Sequence, residues 1–393
     1  MQFTPSDPRD PSPCRSFPGH RFILIWASII IIASLLGATR SPAAETAPRV
    51  LFVSPGSRDD IFFSRMQTFM EDSAANLGIK LETVYGKRNY VTSHHLASKI
   101  FNRSPRPDYL ILINENDLGR ALLPQADRLG IRTILINEGI PERERKFFGQ
   151  PGERFRNWFC EFTPDDRQAG RLLASELIRG RRRQGDRKIN IVGLSGTVKT
   201  TSSALRVEGL RDAVANHSGV KIRQVVPAYW DIDQAAKITA GLLKRYPETD
   251  IVWAASDGMA YGAVRALQAA GLHPGKDILT GGIDWTEFSF TEIKKGTFTA
   301  TVGGHFMDGG WALVMIYDDY HHNLKAFSGK SHFSLINQRN LAAFQPFFSS
   351  NNWAGIDFKS FSHTLNPTLR HYDFSFAAVL KQLNQPRPSL KKR

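Results

Sequence analysis

The chain has 393 residues, 41% hydrophobic and 22% charged, with 26 Phe and 7 Trp: more than one compact core needs and enough for two ordinary domains. That composition excludes a disordered tail and a small disulfide-stapled fold. Lys and Arg number 51 against 37 Asp and Glu, a formal +14 that suits nucleic acid, an acidic membrane surface or an anionic ligand without choosing among them.

The first feature along the chain is the uncharged run from Phe22 to Ala38, preceded by Arg15, His20 and Arg21 and followed by Ser41-Pro42-Ala43-Ala44. This is the outline of a secretory signal peptide over 1–44, cleaved near Ala43 or Ala44, with a retained membrane anchor as the alternative because a spanning helix needs about 20 apolar residues. Cys14 precedes the run, whereas a lipid-attachment cysteine would follow it. Removal of Cys14 leaves Cys160 without an intrachain partner, so neither a disulfide nor a cysteine zinc site is expected. Export to the periplasm also makes nucleic acid a poor partner for the positive charge.

From Arg49 short aliphatic runs alternate with amphipathic segments, the pattern of βα units around a parallel sheet. The predicted strands are Arg49 to Val53, Lys80 to Val84, Tyr109 to Ile113, Arg132 to Ile136, Ile189 to Gly193, Ile222 to Val226, Asp250 to Ala254 and Asp277 to Gly281. Between them Phe63, Met66, Met70, Ala74 and Leu77 recur at helical spacing before Gly78, and Met259, Ala263, Leu267 and Ala270 do so before Gly271. The counting gives one set of units up to about residue 150 and a second from about 162 to 302, hence two doubly wound α/β lobes. Pro141 to Gly152 reads as an exposed charged loop. Arg179, Arg181, Arg182 and Arg183 read as a solvated helix end suited to the dipole. Beyond His321 the rhythm is lost.

Gly193-Leu-Ser-Gly-Thr-Val-Lys-Thr200 follows a strand and precedes a helix, but Val198 stands where a phosphate loop needs glycine. His94-His95 and His321-His322 are adjacent pairs, whereas ligands on one helical face sit three or four apart, so no metal is expected. No GxSxG string occurs and Cys160 lacks the context of a nucleophile, so no enzyme and no cofactor are expected. What stands out is polar and aromatic residues after predicted strands, where open α/β sheets bind ligands. These are Asp59, Asp60, Phe62 and Phe63 after the first, Asn137-Glu138 after the fourth, and Tyr229-Trp230-Asp231 after the sixth. Ser256-Asp257 follows the seventh, and Asp284-Trp285 the eighth. Carboxylates accept from hydroxyls and aromatic faces cover apolar sugar faces, so the set suits a small polyhydroxylated ligand. Asp257 and Asp284 also precede helices, where an aspartate caps without any ligand.

These residues resemble those of type I periplasmic substrate-binding proteins, particularly the ribose-binding and autoinducer-2-binding kind, over about Arg49 to Tyr320. The similarity is most specific in Ser256-Asp-Gly-Met-Ala-Tyr-Gly-Ala-Val-Arg-Ala-Leu267, in Gly281-Gly-Ile-Asp284 and in Lys295-Gly-Thr-Phe-Thr-Ala-Thr-Val302. It implies two Rossmann-like lobes joined by a hinge: 48–161 with about 305–332, and 162–304 with about 333–350, leaving 351–393 as an extension of unclear fold. It implies ligand contacts at Asp60, Phe62, Phe63, Asn137, Ser256, Asp284 and His305, to which the strand-end argument adds Trp230, Asp257 and Trp285. The expected protein is a monomer that closes on a sugar-like ligand and presents it to an inner-membrane permease or sensor. The effector core of a lactose-repressor-type regulator, or an enzyme on the same framework, are the alternatives. The family usually has an arginine two positions before Arg206, here Ala204. That departure implies weak or no ribose binding and a ligand that differs in shape or carries negative charge that Lys199 could meet, while His305, if not strongly perturbed, implies a charge change near neutral pH.

Overall fold

The structure, a computed structural model, describes residues 47–184, 188–324, 330–348 and 353–383. The predicted signal peptide, its apolar run and Cys14 lie outside the described residues. In the first lobe the chain runs β1 (Arg49–Ser54), α1 (Ile61–Leu77), β2 (Lys80–Tyr85), α2 (Tyr90–Phe101), β3 (Tyr109–Leu112), α3 (Gly119–Arg128), β4 (Arg132–Ile136), α4 (Glu142–Phe148) and β5 (Trp158–Phe162). The second follows with α5 (Asp166–Arg182), β6 (Ile189–Ser195), α6 (Thr201–Ala215), β7 (Val220–Pro227), α7 (Ile232–Arg245), β8 (Ile251–Ala254), α8 (Asp257–Ala269), β9 (Leu279–Ile283), α9 (Glu287–Lys295) and β10 (Ala300–Gly303). The chain then forms α10 (Asp308–Tyr320), β11 (Ser334–Asn337), α11 (Leu341–Phe348) and α12 (Phe376–Leu383).

The two sheets have orders β2-β1-β3-β4-β5 and β11-β10-β9-β8-β6-β7, parallel throughout except that β11 is antiparallel to β10. Val50 to Val53 of β1 and Ile251 to Ala254 of β8 are fully buried, as expected of strands covered by helices on both faces. Strand order reverses between β1 and β3 and between β6 and β8, which opens a crevice at the carboxyl ends of each sheet. α1 starts where Asp60 accepts the backbone N–H of Phe62 and Phe63, and stops at Gly78 in the left-handed region (φ 72°). Its buried stripe includes the predicted Phe63, Met66, Met70, Ala74 and Leu77.

All eight predicted strands are present, the last displaced by two residues because Asp277 turns back to accept from His273. Three more strands complete the sheets: β5, β10 and the antiparallel β11. Pro141 to Gly152 is not a loop throughout. Pro141 precedes the short α4, with Glu142 and Glu144 in its first turn and Arg145 and Lys146 in its last, and Glu144 and Phe148 are buried. Arg181 is not solvated either; it is buried against Asp250, to which its guanidinium donates at 3.0 and 3.1 Å. Cys160 lies buried in β5 and is not a free cysteine, against the expectation of a lone thiol.

α10 packs against α1 of the first lobe, whereas β11 joins the second sheet, so the chain passes between lobes after β5, after β10 and before β11. Residues beyond 352 have structure of their own. Short turns at Trp353–Gly355 and Phe358–Phe361 lie on α1, while α12 packs on α11, which packs on α9. The buried carboxylate of Asp318 on α10 anchors this extension, accepting from the Ser362 and Tyr372 hydroxyls and the His363 and Thr364 backbone. Among the described residues no helix is long and apolar enough to cross a membrane.

Candidate ligand cleft

Between the carboxyl ends of the two sheets lies a cavity of about 370 Å3, a size suited to a small molecule. Its first-lobe wall starts with Asp60, which has two tasks. Oδ1 caps α1, and Oδ2 accepts from Arg88 at 2.9 Å. Arg88 also donates to both Glu115 oxygens at 3.0 and 3.2 Å and lies 5.1 Å over the Phe63 ring. Flanked by two carboxylates, the Arg88 guanidinium is held firmly protonated despite burial, whereas burial first, against the pull of Arg88, pushes Glu115 up.

Asn137 and Glu138 follow β4. Asn137 adopts φ 59°, is 8% exposed, and its Oδ1 is buried without a hydrogen-bond partner. Glu138 accepts from the Ser202 hydroxyl of the opposite lobe at 2.7 Å, a contact across the cleft. Burial, then the neighbouring Glu115, push the Glu138 carboxyl up to about 8.

Arg206 organises the second-lobe wall. Its Nε donates to Asp166 at 2.7 Å, Nη1 to the Ala255 carbonyl at 2.8 Å and to Asp284 at 3.4 Å, and Nη2 lies 3.2 Å from His305 Nε2. Since the guanidinium only donates, His305 Nε2 accepts and the imidazole is neutral with its proton on Nδ1. Burial and then Arg206 hold His305 well below its ordinary range, so the charge change expected near neutral pH does not occur. Asp284 is held by its backbone N–H donating to Val302 at 2.7 Å, and burial raises its carboxyl well above the ordinary range against the pull of Arg206.

Aromatic faces close the cavity. Phe62 stacks on His305 with centroids 4.5 Å apart, and the Trp230 ring lies 5.7 Å from the Arg206 guanidinium. The glycine at 196 is explained by this ring, since a Cβ there would come within 1.9 Å of Trp230. Arg88 (φ 56°), Asn137, Trp230 (φ 64°) and Asp284 (φ 137°) are all non-glycine residues at positive φ, and such strain concentrates at ligand sites.

Of the predicted site residues, Asp60, Phe62, Phe63, Asn137, Trp230, Ser256, Asp284 and His305 line the cavity. Ser256 does so as the N-cap of α8, its Oγ accepting from Met259. Asp257 does not line it. Its carboxylate is fully buried and accepts from the Thr286 backbone and hydroxyl and from the Thr301 hydroxyl, at 2.7 to 3.0 Å, tying α8 to the ends of β9 and β10. Trp285 also points away. It is fully buried against Phe344, Phe348 and Phe376, and its carbonyl accepts from Arg65 of α1. Asp284 is no helix cap, because α9 begins after Thr286.

Lys199 is exposed and outside the cavity lining, as is Ala204, whereas Arg206 is buried in it. The expectation of a missing arginine and of an anion-seeking lysine is therefore corrected. Arg88, Glu115, Ser202 and Arg206 were not singled out as contacts. Arg88 and Glu115 follow β2 and β3, so the strand-end rule applied to those two strands would have found them.

A periplasmic binding protein domain matches residues 50–322. The chain belongs to this family. It is 31% identical over 274 residues to the ribose import binding protein RbsB of Salmonella typhimurium, covering 70% of this chain and 84% of that relative. It is 29% identical over 281 residues to the galactofuranose-binding protein YtfQ of Escherichia coli, covering 71% and 84%. Among solved structures, a periplasmic sugar-binding protein from Pseudomonas fluorescens superposes with a TM-score of 0.74 at 28% identity, over 84% of this chain and 99% of that one. These relatives are binding proteins rather than enzymes, and their two-lobed architecture is the one described above.

Proposed function

We propose that this chain is an exported, non-enzymatic solute-binding protein that closes on a small polyhydroxylated ligand of the sugar class and hands it to an inner-membrane permease. The observation that carries the reading is the pairing of the unpartnered, buried Asn137 Oδ1 with the Phe62 and Trp230 rings in one cavity. Sugar hydroxyls donate to such acceptors while the C–H face of the ring covers an aromatic. The names of the ribose- and galactofuranose-binding relatives support the same class. Arg206 removes the ground for setting ribose aside, so ribose belongs in any screen. The signal-like N-terminus supports export. A thermal-shift screen of pentoses, hexoses and cyclitols on protein recovered from the periplasm tests the proposal, since specific binding raises apparent stability. Several degrees of stabilisation by at least one of them is expected, and none at millimolar concentration contradicts it.

A further inference from the structure

The whole chain carries a formal +14, yet the cleft reverses that sign. Around its centre lie Asp60, Glu115, Glu138 and Asp284, with Asp166 behind Arg206, against the two guanidiniums of Arg88 and Arg206. Arg88 is already held between Asp60 and Glu115, and Arg206 between Asp166 and Asp284. Neither offers an unmatched positive charge to an anion. Glu138 takes part in no described ion pair and has only the Ser202 hydroxyl on Oε1, while the adjacent Asn137 Oδ1 accepts from nothing. The free capacity at the centre of the cleft is therefore chiefly to accept hydrogen bonds, with His305 Nδ1 the orphaned donor among the described lining residues, and carboxyl groups outnumber guanidiniums there.

We propose that the ligand carries an ammonium group on its polyhydroxylated frame, an amino sugar or aminocyclitol, with that ammonium seated against Glu138 and Asp284. The inference rests on the sugar-class reading and narrows it. An ammonium provides three donors and a positive charge, which meets the free acceptors and the surplus of carboxyl groups together. Burial first raises both carboxyls, and a cation seated beside them favours their ionised form. A sugar acid or phosphate would add to the excess. A neutral sugar leaves it unrelieved.

Calorimetric titration in amine-free phosphate buffer, using the full mature chain, distinguishes these ligands. The probes are matched sets: D-glucose, D-glucosamine and N-acetyl-D-glucosamine; the galactose equivalents; and myo-inositol with its monoamino-deoxy and N-acetyl derivatives. In the best-binding set the amine should bind at least about tenfold tighter than its neutral parent, and N-acetylation should remove the gain. Glu138→Gln should bring the amine-to-parent ratio close to one, with circular dichroism confirming that the variant is folded. If neutral parents bind as tightly as their amines in every set, the ammonium is refuted and the sugar reading stands. If no member of any set binds, the ammonium proposal falls, while the sugar reading is decided separately by the thermal-shift screen that includes the pentoses. An amine preference unchanged in both Glu138→Gln and Asp284→Asn overturns the assigned seat.

Discussion

Ala204 and Arg206 are two residues apart on α6 and therefore about 200° apart around it, so one faces solvent and the other the cleft. A register set by resemblance alone cannot resolve that difference, which is why Arg206 was legible as a residue but not as a site. The aspartates behave likewise. Both follow strands and precede helices, yet Asp257 satisfies three buried donors while Asp284 faces Arg206 and the cavity. Asp284→Ala should weaken ligand binding by about 1.5 to 3 kcal/mol, roughly 10- to 150-fold, by calorimetry. Asp257→Ala should lower unfolding stability by about 2 to 4 kcal/mol through its orphaned donors and change affinity far less. Glu138 adds a pH dependence. Its carboxyl rises from an ordinary 4.5 to about 8 in the fold, so its contribution to stability is full below 4.5 and is lost as pH rises through about 8. Asp284 acts with the same sign, whereas His305, depressed below its ordinary 6.5, removes stability only as pH falls below that value. Between pH 6.5 and 8 the ligand-free chain should thus lose stability as pH rises, and denaturant unfolding of Glu138→Gln should show a flatter profile.

At the scale of elements, strands that are apolar throughout announced themselves, because burial on both faces removes any need for alternation. The three that did not lack a run of large aliphatic residues: β5 reads Trp-Phe-Cys-Glu-Phe, β10 reads Ala-Thr-Val-Gly, and β11 buries only Ile336 and Asn337. The extension after 352 was illegible for another reason. Its order comes from tertiary contacts, such as Trp311 stacked on Phe374 at 4.9 Å and Asp318 accepting four hydrogen bonds, which leave no periodic signature. Asp318→Ala should therefore cost at least about 3 kcal/mol, since several charge-assisted bonds in a dry site are lost at once. It should also speed proteolysis within residues 353–383. Stability and cleavage pattern matching the unmutated chain would show that the anchor is elsewhere.

For the molecule as a whole, two lobes crossed by three connections are built to hinge, and the Glu138–Ser202 contact is a bond that opening must break. Saturating ligand should reduce the radius of gyration in small-angle scattering, and an unchanged profile would remove closure as the signal. The central claim is that the space between the lobes holds the ligand. A crystal structure grown with the tightest-binding polyol tests it most directly. The account predicts one ligand molecule between Phe62 and Trp230, with a donor on Asn137 Oδ1 and others on Asp284 and Glu138. A ligand ordered anywhere else, with only water beside Asn137, would contradict it.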